Sequence, residues 1–160
     1  MAGVLFYHLT RSRPEAVVAM LLERAAGQGW RVLIRTPDRA AAEALDASLW
    51  LGPEDGFLAH GLAGGPDDRF QPVLIGQPDT GVGDMGAGEV ACLMLLGGVA
   101  IGAEEAAAVE RAWILFDGFD LAAVERARGQ WRALTGAGVA AQYWSEEDGR
   151  WQKKAESGAA

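Results

Sequence analysis

Cysteine is nearly absent from this chain: Cys92 is the single one among 160 residues. One thiol cannot close an intrachain disulfide, which suits a reducing compartment, and its apolar surroundings read as those of a small buried hydrophobe rather than a nucleophile. Histidine is almost as scarce, with His8 and His60 far apart in the chain. A metal site needs three or four clustered ligands, and no recognisable set exists, so no metal is expected. Basic residues are outnumbered, fourteen Lys and Arg against twenty-two Asp and Glu, for a net charge of −8. That balance argues against direct binding to a nucleic-acid backbone. Long apolar runs are also missing. Half the residues are hydrophobic, yet no run reaches the roughly 18 needed to span a bilayer. The opening MAGVLFYHL has neither the basic flank nor the apolar length of a signal peptide. These absences predict a cytoplasmic protein, and the length suits one domain with a proper core.

Catalytic signatures are wanting as well. The four serines, at 12, 48, 145 and 157, lie in no nucleophile-elbow pattern, and no P-loop is present. Gly81-Val82-Gly83-Asp84-Met85-Gly86 is a literal G-x-G-x-x-G. Its setting is wrong for a dinucleotide. The following EVACLMLL reads at least as well as a strand as a helix, and Asp84 would repel a pyrophosphate. A surface loop is the better reading of residues 77–89. The competing one is a small Rossmann-like nucleotide-binding enzyme using the 81–86 glycines. No cofactor is expected.

What is there is a regular alternation. Val4 to Leu9 reads as a buried strand, with His8 packed inside it, and Pro14 opens a helix that stops at Gly27 and Gly29. Trp30 to Arg35 is a second strand, and Thr36-Pro37-Asp38 caps a helix running to Trp50. Pro72 to Gly76 is a third strand, Glu104 to Arg111 a short acidic helix, and Ala112 to Asp117 another strand. Val139 to Trp144 and Arg150 to Lys153 form a hairpin, leaving residues 154–160 as a frayed tail. The pattern predicts one α/β domain over residues 1–153, with a mostly parallel sheet. The first strand runs into Thr10-Arg11-Ser12-Arg13 without a glycine, so no phosphate cradle is expected there. Trp50 and the Phe57 to His60 stretch put large side chains in what reads as exposed loop. They either plug the domain's own core or anchor a partner.

The stretch from Asp120 to Thr135 organises the rest. Asp120 is an N-cap, Gly136 and Gly138 stop the helix, and Ala123, Ala127 and Leu134 share one face. Arg128 and Arg132 fall i, i+4 on a neighbouring stripe, with Val124 and Trp131 on the border. Three arginines and one glutamate between Leu121 and Thr135 make it a basic island on an acidic chain. Taken alone, it reads first as an amphipathic helix with Trp131 in the core and solvated arginines. The second reading is an edge for a ligand both acidic and aromatic, since guanidinium forks onto carboxylate and the apolar border takes a ring.

Several segments in order carry a family resemblance: Phe6-Tyr7-His8-Leu9, Gly29 to Ile34, Leu45 to Trp50, Phe57 to Gly61, Pro72 to Ile75, and Ala127 to Arg132. Over roughly residues 4 to 151 the chain resembles the chi subunit of bacterial DNA polymerase III holoenzyme. The resemblance implies a three-layer, Rossmann-like domain with a mostly parallel, mixed sheet and no nucleotide-binding loop. It implies a non-catalytic accessory subunit of the clamp-loader complex in DNA replication. Its partners would be the acidic C-terminal tail of single-stranded DNA-binding protein and a psi subunit or helicase. By position, Arg128, Trp131 and Arg132 match the tail-binding helix, with Val124 as apolar neighbour. Trp50, Phe57 and His60 match the second partner's interface. Val124 stands where some chi proteins carry a lysine, which weakens the basic pocket.

Overall fold

A parallel strand covered on both faces has no solvent side to mark with polar residues, so its sequence reads as an unbroken apolar run. The strands here are of that kind, in a computed structural model that describes residues 3–10, 14–50, 61–62, 72–78, 91–147 and 150–157. Strand β1 spans Val4–Leu9, helix α1 Pro14–Gly27, β2 Val32–Arg35, α2 Arg39–Trp50, β3 Gly61–Leu62 and β4 Val73–Gly76. Then follow β5 Cys92–Leu95, α3 Ala103–Ala107, β6 Arg111–Asp117, α4 Leu121–Gly136, β7 Ala141–Glu147 and β8 Arg150–Ser157. All of β2, β4 and β5 is buried.

The strands form one sheet in the order β3-β4-β2-β5-β6-β1-β7-β8. Every pairing is parallel except β7 with β8. Two cores follow from the alternation of side chains. Phe6, Leu33, Leu93, Ile114 and Phe116 point to one face, where Ala123, Ala127 and Leu134 of α4 cover them. Tyr7, Ile34, Met94 and Leu115 point to the other, under Val18, Leu21 and Leu22 of α1 and Leu45 of α2. Helix, sheet and helix make three layers, the expected Rossmann-like architecture. The connection from β6 through α4 to β7 passes over β1, so α4 runs back across the β6-β1-β7 segment of the sheet from the carboxyl end of β6 to the amino end of β7.

Several boundaries differ from those read in the sequence, among them β7, which runs Ala141–Glu147 rather than Val139 to Trp144, so that Glu146 and Glu147, read as part of the turn, are paired strand. The acidic helix ends at Ala107 rather than Arg111, because Glu110 and Arg111 donate backbone N–H groups to Ala91 O and Arg111 enters β6. The 91–96 segment resolves to strand, since β5 is paired on both sides. Gly61–Leu62 adds a short edge strand inside a stretch read as loop. The last strand does not stop at Lys153. Lys154 to Ser157 continue it, with Gln142 opposite Glu156 and Ala141 opposite Ser157, so that part of the expected frayed tail is paired. Phe57, His60 and nearly all of the 77–89 glycine loop lie outside the described residues, as does the side chain of Trp50.

Candidate functional site

Two regions at the carboxyl ends of the parallel strands have the makings of a site. The first is a crevice of about 400 Å3, walled by Leu9, Leu95, Ile114 and Phe116 and by the Ala123, Arg126 and Gln130 side of α4. In nucleotide-binding relatives of this architecture, free backbone N–H groups at such a crevice hold phosphate. Among the described residues, four such groups are taken by carboxylates. Asp120 Oδ1 accepts from Ala122 N at 3.0 Å and Ala123 N at 3.3 Å, and Asp117 Oδ1 accepts from Phe119 N at 2.9 Å. Thr10 N, just past β1, donates to Glu146 Oε1 at 3.1 Å. Carboxylates already sit where phosphate oxygens would, and their charge would repel one. Gly98, in the left-handed region at φ +88°, lets Arg126 lie flat across its backbone, where any side chain would collide with the guanidinium. No cluster of three or more metal-ligating side chains occurs among the described residues.

The second region is the flank of α4 that faces β7. Trp131 is half-buried there, edge-on to Phe6 at 5.5 Å and to Tyr143 at 6.2 Å between ring centroids. Tyr143 Oη lies 2.6 Å from Nδ1 of His8, whose ring packs against Phe116. Gly118 makes this possible, since a Cβ there would occupy the space of the His8 ring. Burial pushes the Tyr143 hydroxyl above its ordinary pKa, while the positive charge of Arg128 pulls the other way. Arg128 lies three residues before Trp131 on α4, is 61% exposed, and its Nη1 reaches Glu125 Oε1 at 3.1 Å. Arg132, one turn on, is exposed. Thr135 donates to Trp131 O at 2.7 Å, tying the last turn down. At the head of the helix Phe119 and Leu121 are 76% and 81% exposed.

Of the residues expected to form a peptide edge, α4 thus brings Arg128, Trp131 and Arg132 to one side. Val124 is placed differently from a ligand-facing neighbour: it is only 8% exposed and belongs to the core under α4. Sequence reasoning did not select Tyr143 or Phe119. Tyr143 stands 12 residues after Trp131, and only the pairing of Phe6 with Tyr143 shows that the rings meet. Exposed Phe119 carried a signal that was legible, an aromatic between the strand end and the N-cap.

Fold and crevice together define a three-layer, Rossmann-like α/β domain with a mostly parallel, mixed sheet. The chain belongs to the family described as DNA polymerase III chi subunit, HolC, whose model matches residues 1–142. It is also similar to the DNA polymerase III subunit chi of Pseudomonas aeruginosa, 34% identical over 79 residues, 48% of this chain and 54% of that protein. The aligned stretch therefore spans about half the length of that curated relative.

Proposed function

We propose that this chain is a non-catalytic accessory subunit of the polymerase III clamp-loader complex, and that its α4 flank takes the acidic C-terminal tail of single-stranded DNA-binding protein. The observation that carries the reading is the grouping of Arg128 and Arg132 with half-buried Trp131 beside the Tyr143 hydroxyl. Guanidinium groups supply forked hydrogen bonds to carboxylates, and the indole and phenol edges supply a wall for a terminal aromatic ring. A charge-assisted bond contributes about 1.5–3 kcal/mol when sheltered and much less at a wet rim. Two or three such bonds plus one ring give a micromolar Kd, about −8 kcal/mol. In the same reading Trp50, Phe57 and His60 form the interface for a second partner, a psi subunit or a helicase.

The test is fluorescence anisotropy of a labelled acidic peptide ending in phenylalanine, at low and high salt. We expect micromolar binding that weakens with added salt. Arg128→Glu is expected to lower affinity more than about tenfold, the equivalent of 1.4 kcal/mol. Trp131→Phe, which preserves the packing on Phe6, is expected to lower it less. Salt-independent binding, or binding unchanged in Arg128→Glu, would remove this helix from the reading.

A further inference from the structure

The family match stops at residue 142, yet the fold does not. Tyr143 to Glu147 complete β7, and β8 returns antiparallel to Ser157. Tyr143 is on the α4 face of the sheet, since its ring meets Phe6 and Trp131. Strand alternation puts Ser145 on the same face. On β8, Gln152 is paired with Ser145, cross-strand partners share a face, and alternation along β8 puts Arg150 on that face too. A row of side chains therefore crosses the sheet from Phe116 through His8 and Ser145 to Gln152. Its β6 end is covered, with Phe116 only 7% exposed, whereas Arg150, Gln152 and Ala155 are exposed. Trp151, alternating to the far face, packs edge-on against Tyr7 at 5.1 Å and fixes the strand from below. The result is an open shelf beside the Arg128–Trp131 flank, joined to it through Tyr143.

Charge points the same way. Helix α4 and strand β8 together hold six of the chain's fourteen basic residues but two of its twenty-two acidic ones, and both of its lysines, Lys153 and Lys154, are in β8. On a chain of net charge −8 the residues of these two elements on the shelf side are Arg128, Arg132 and Arg150, separated by β7, a spacing suited to an acidic strand of some length.

We propose that β8 lengthens the acidic-peptide site, so that residues upstream of the peptide's end cross Tyr143 onto the Arg150–Gln152 shelf. The proposal rests on the tail-binding reading of α4. Neighbouring strands are about 5 Å apart, so an extended peptide held over Tyr143 reaches β8 within two or three residues. Lys153 is the internal control: it is paired with Trp144 on the opposite face and lies 3.4 Å from Glu156.

The experiment compares two labelled probes, the peptide Asp-Asp-Asp-Phe and the same sequence preceded by alternating aspartate and serine. Full-length protein is used, with Arg150→Glu/Gln152→Glu, Lys153→Glu and Arg128→Glu variants whose thermal unfolding is checked first. We expect the double variant to bind the long probe about fivefold more weakly and the short one unchanged within about twofold. Lys153→Glu is expected to leave both within about twofold, and Arg128→Glu to weaken both. Arg150→Gln repeats the test with less disturbance of the strand and is expected to show a smaller loss of the same length dependence. Equal affinity of wild type for both probes, or equal loss in the Lys153 variant, would overturn the shelf while leaving the α4 site standing. Undiminished binding in Arg128→Glu would overturn the tail-binding reading itself.

Discussion

Arg35, at the carboxyl end of β2, is buried, and its guanidinium meets both carboxylate oxygens of Glu105 on α3, at 2.5 and 2.7 Å. The hydrogen bonds from Arg35, more than its charge at a distance, hold the Glu105 carboxyl below its ordinary pKa. A depressed carboxyl pKa stabilises the fold at pH values above the unfolded-state value of about 4.3, and that stabilisation is lost as pH falls through the folded value. Glu105→Gln is therefore expected to destabilise the protein by about 2 kcal/mol at pH 7, because the charge-assisted hydrogen bonds between the buried guanidinium and an ionised carboxylate are lost. The gap between variant and wild type is expected to close below about pH 4. Urea unfolding at neutral and acid pH checks both points, and a gap that does not depend on pH would refute the assignment. Nothing in the sequence marks this pair, because its members stand 70 residues apart among many other charges. Cys92 is the opposite case. Its apolar run announced an inert thiol, and in the structure burial pushes its pKa up to about 12.

At the scale of single elements, α4 is the most self-contained. Its cap, its stop and its buried stripe are all properties of neighbouring residues, and the observed helix keeps them: Asp120 Oδ1 caps two N–H groups, and Ala123, Ala127 and Leu134 are buried. Asp120→Ala is expected to cost about 1 kcal/mol, since both amides lose their acceptor. In a chain of this size that lowers Tm by about 2–4 °C, measurable by calorimetry. An unchanged Tm would mean that water replaces the cap without penalty. Strand β8 shows where local reading fails. RWQKKAES has no apolar alternation beyond Trp151, and its partner β7, rather than its own composition, keeps it extended.

On the scale of the whole molecule, α4 and β8 carry six of the fourteen basic residues of an acidic protein. The charge of −8 opposes a polyanion, whereas the site proposed on α4 and β8 is for a short acidic chain. We expect a labelled oligothymidylate to bind more weakly than about 10⁻⁴ M at physiological salt, the weak limit of non-specific binding. Anisotropy at increasing protein concentration measures this, and saturable micromolar binding would show that these basic residues suffice to hold nucleic acid directly. No helix among the described residues is long and apolar enough to cross a membrane.

Taken by itself, the sequence determined the identity and most limits of the helices and the strands of the parallel sheet. Each of these is written in residues adjacent along the chain: a cap, a glycine stop, an apolar run. It also singled out Arg128, Trp131 and Arg132, because helical periodicity alone puts them on one edge. Tertiary structure decided what they lie beside. Placing β1 between β6 and β7 brings His8, Trp131 and Tyr143 together, and the turn of α4 over β1 sinks Val124 into the core. It also set the length of β8 and the side on which Arg150 stands. Strand order and register are settled by hydrogen bonds and packing between segments up to 135 residues apart. Strands buried on both faces carry no alternation to say which neighbour they will choose.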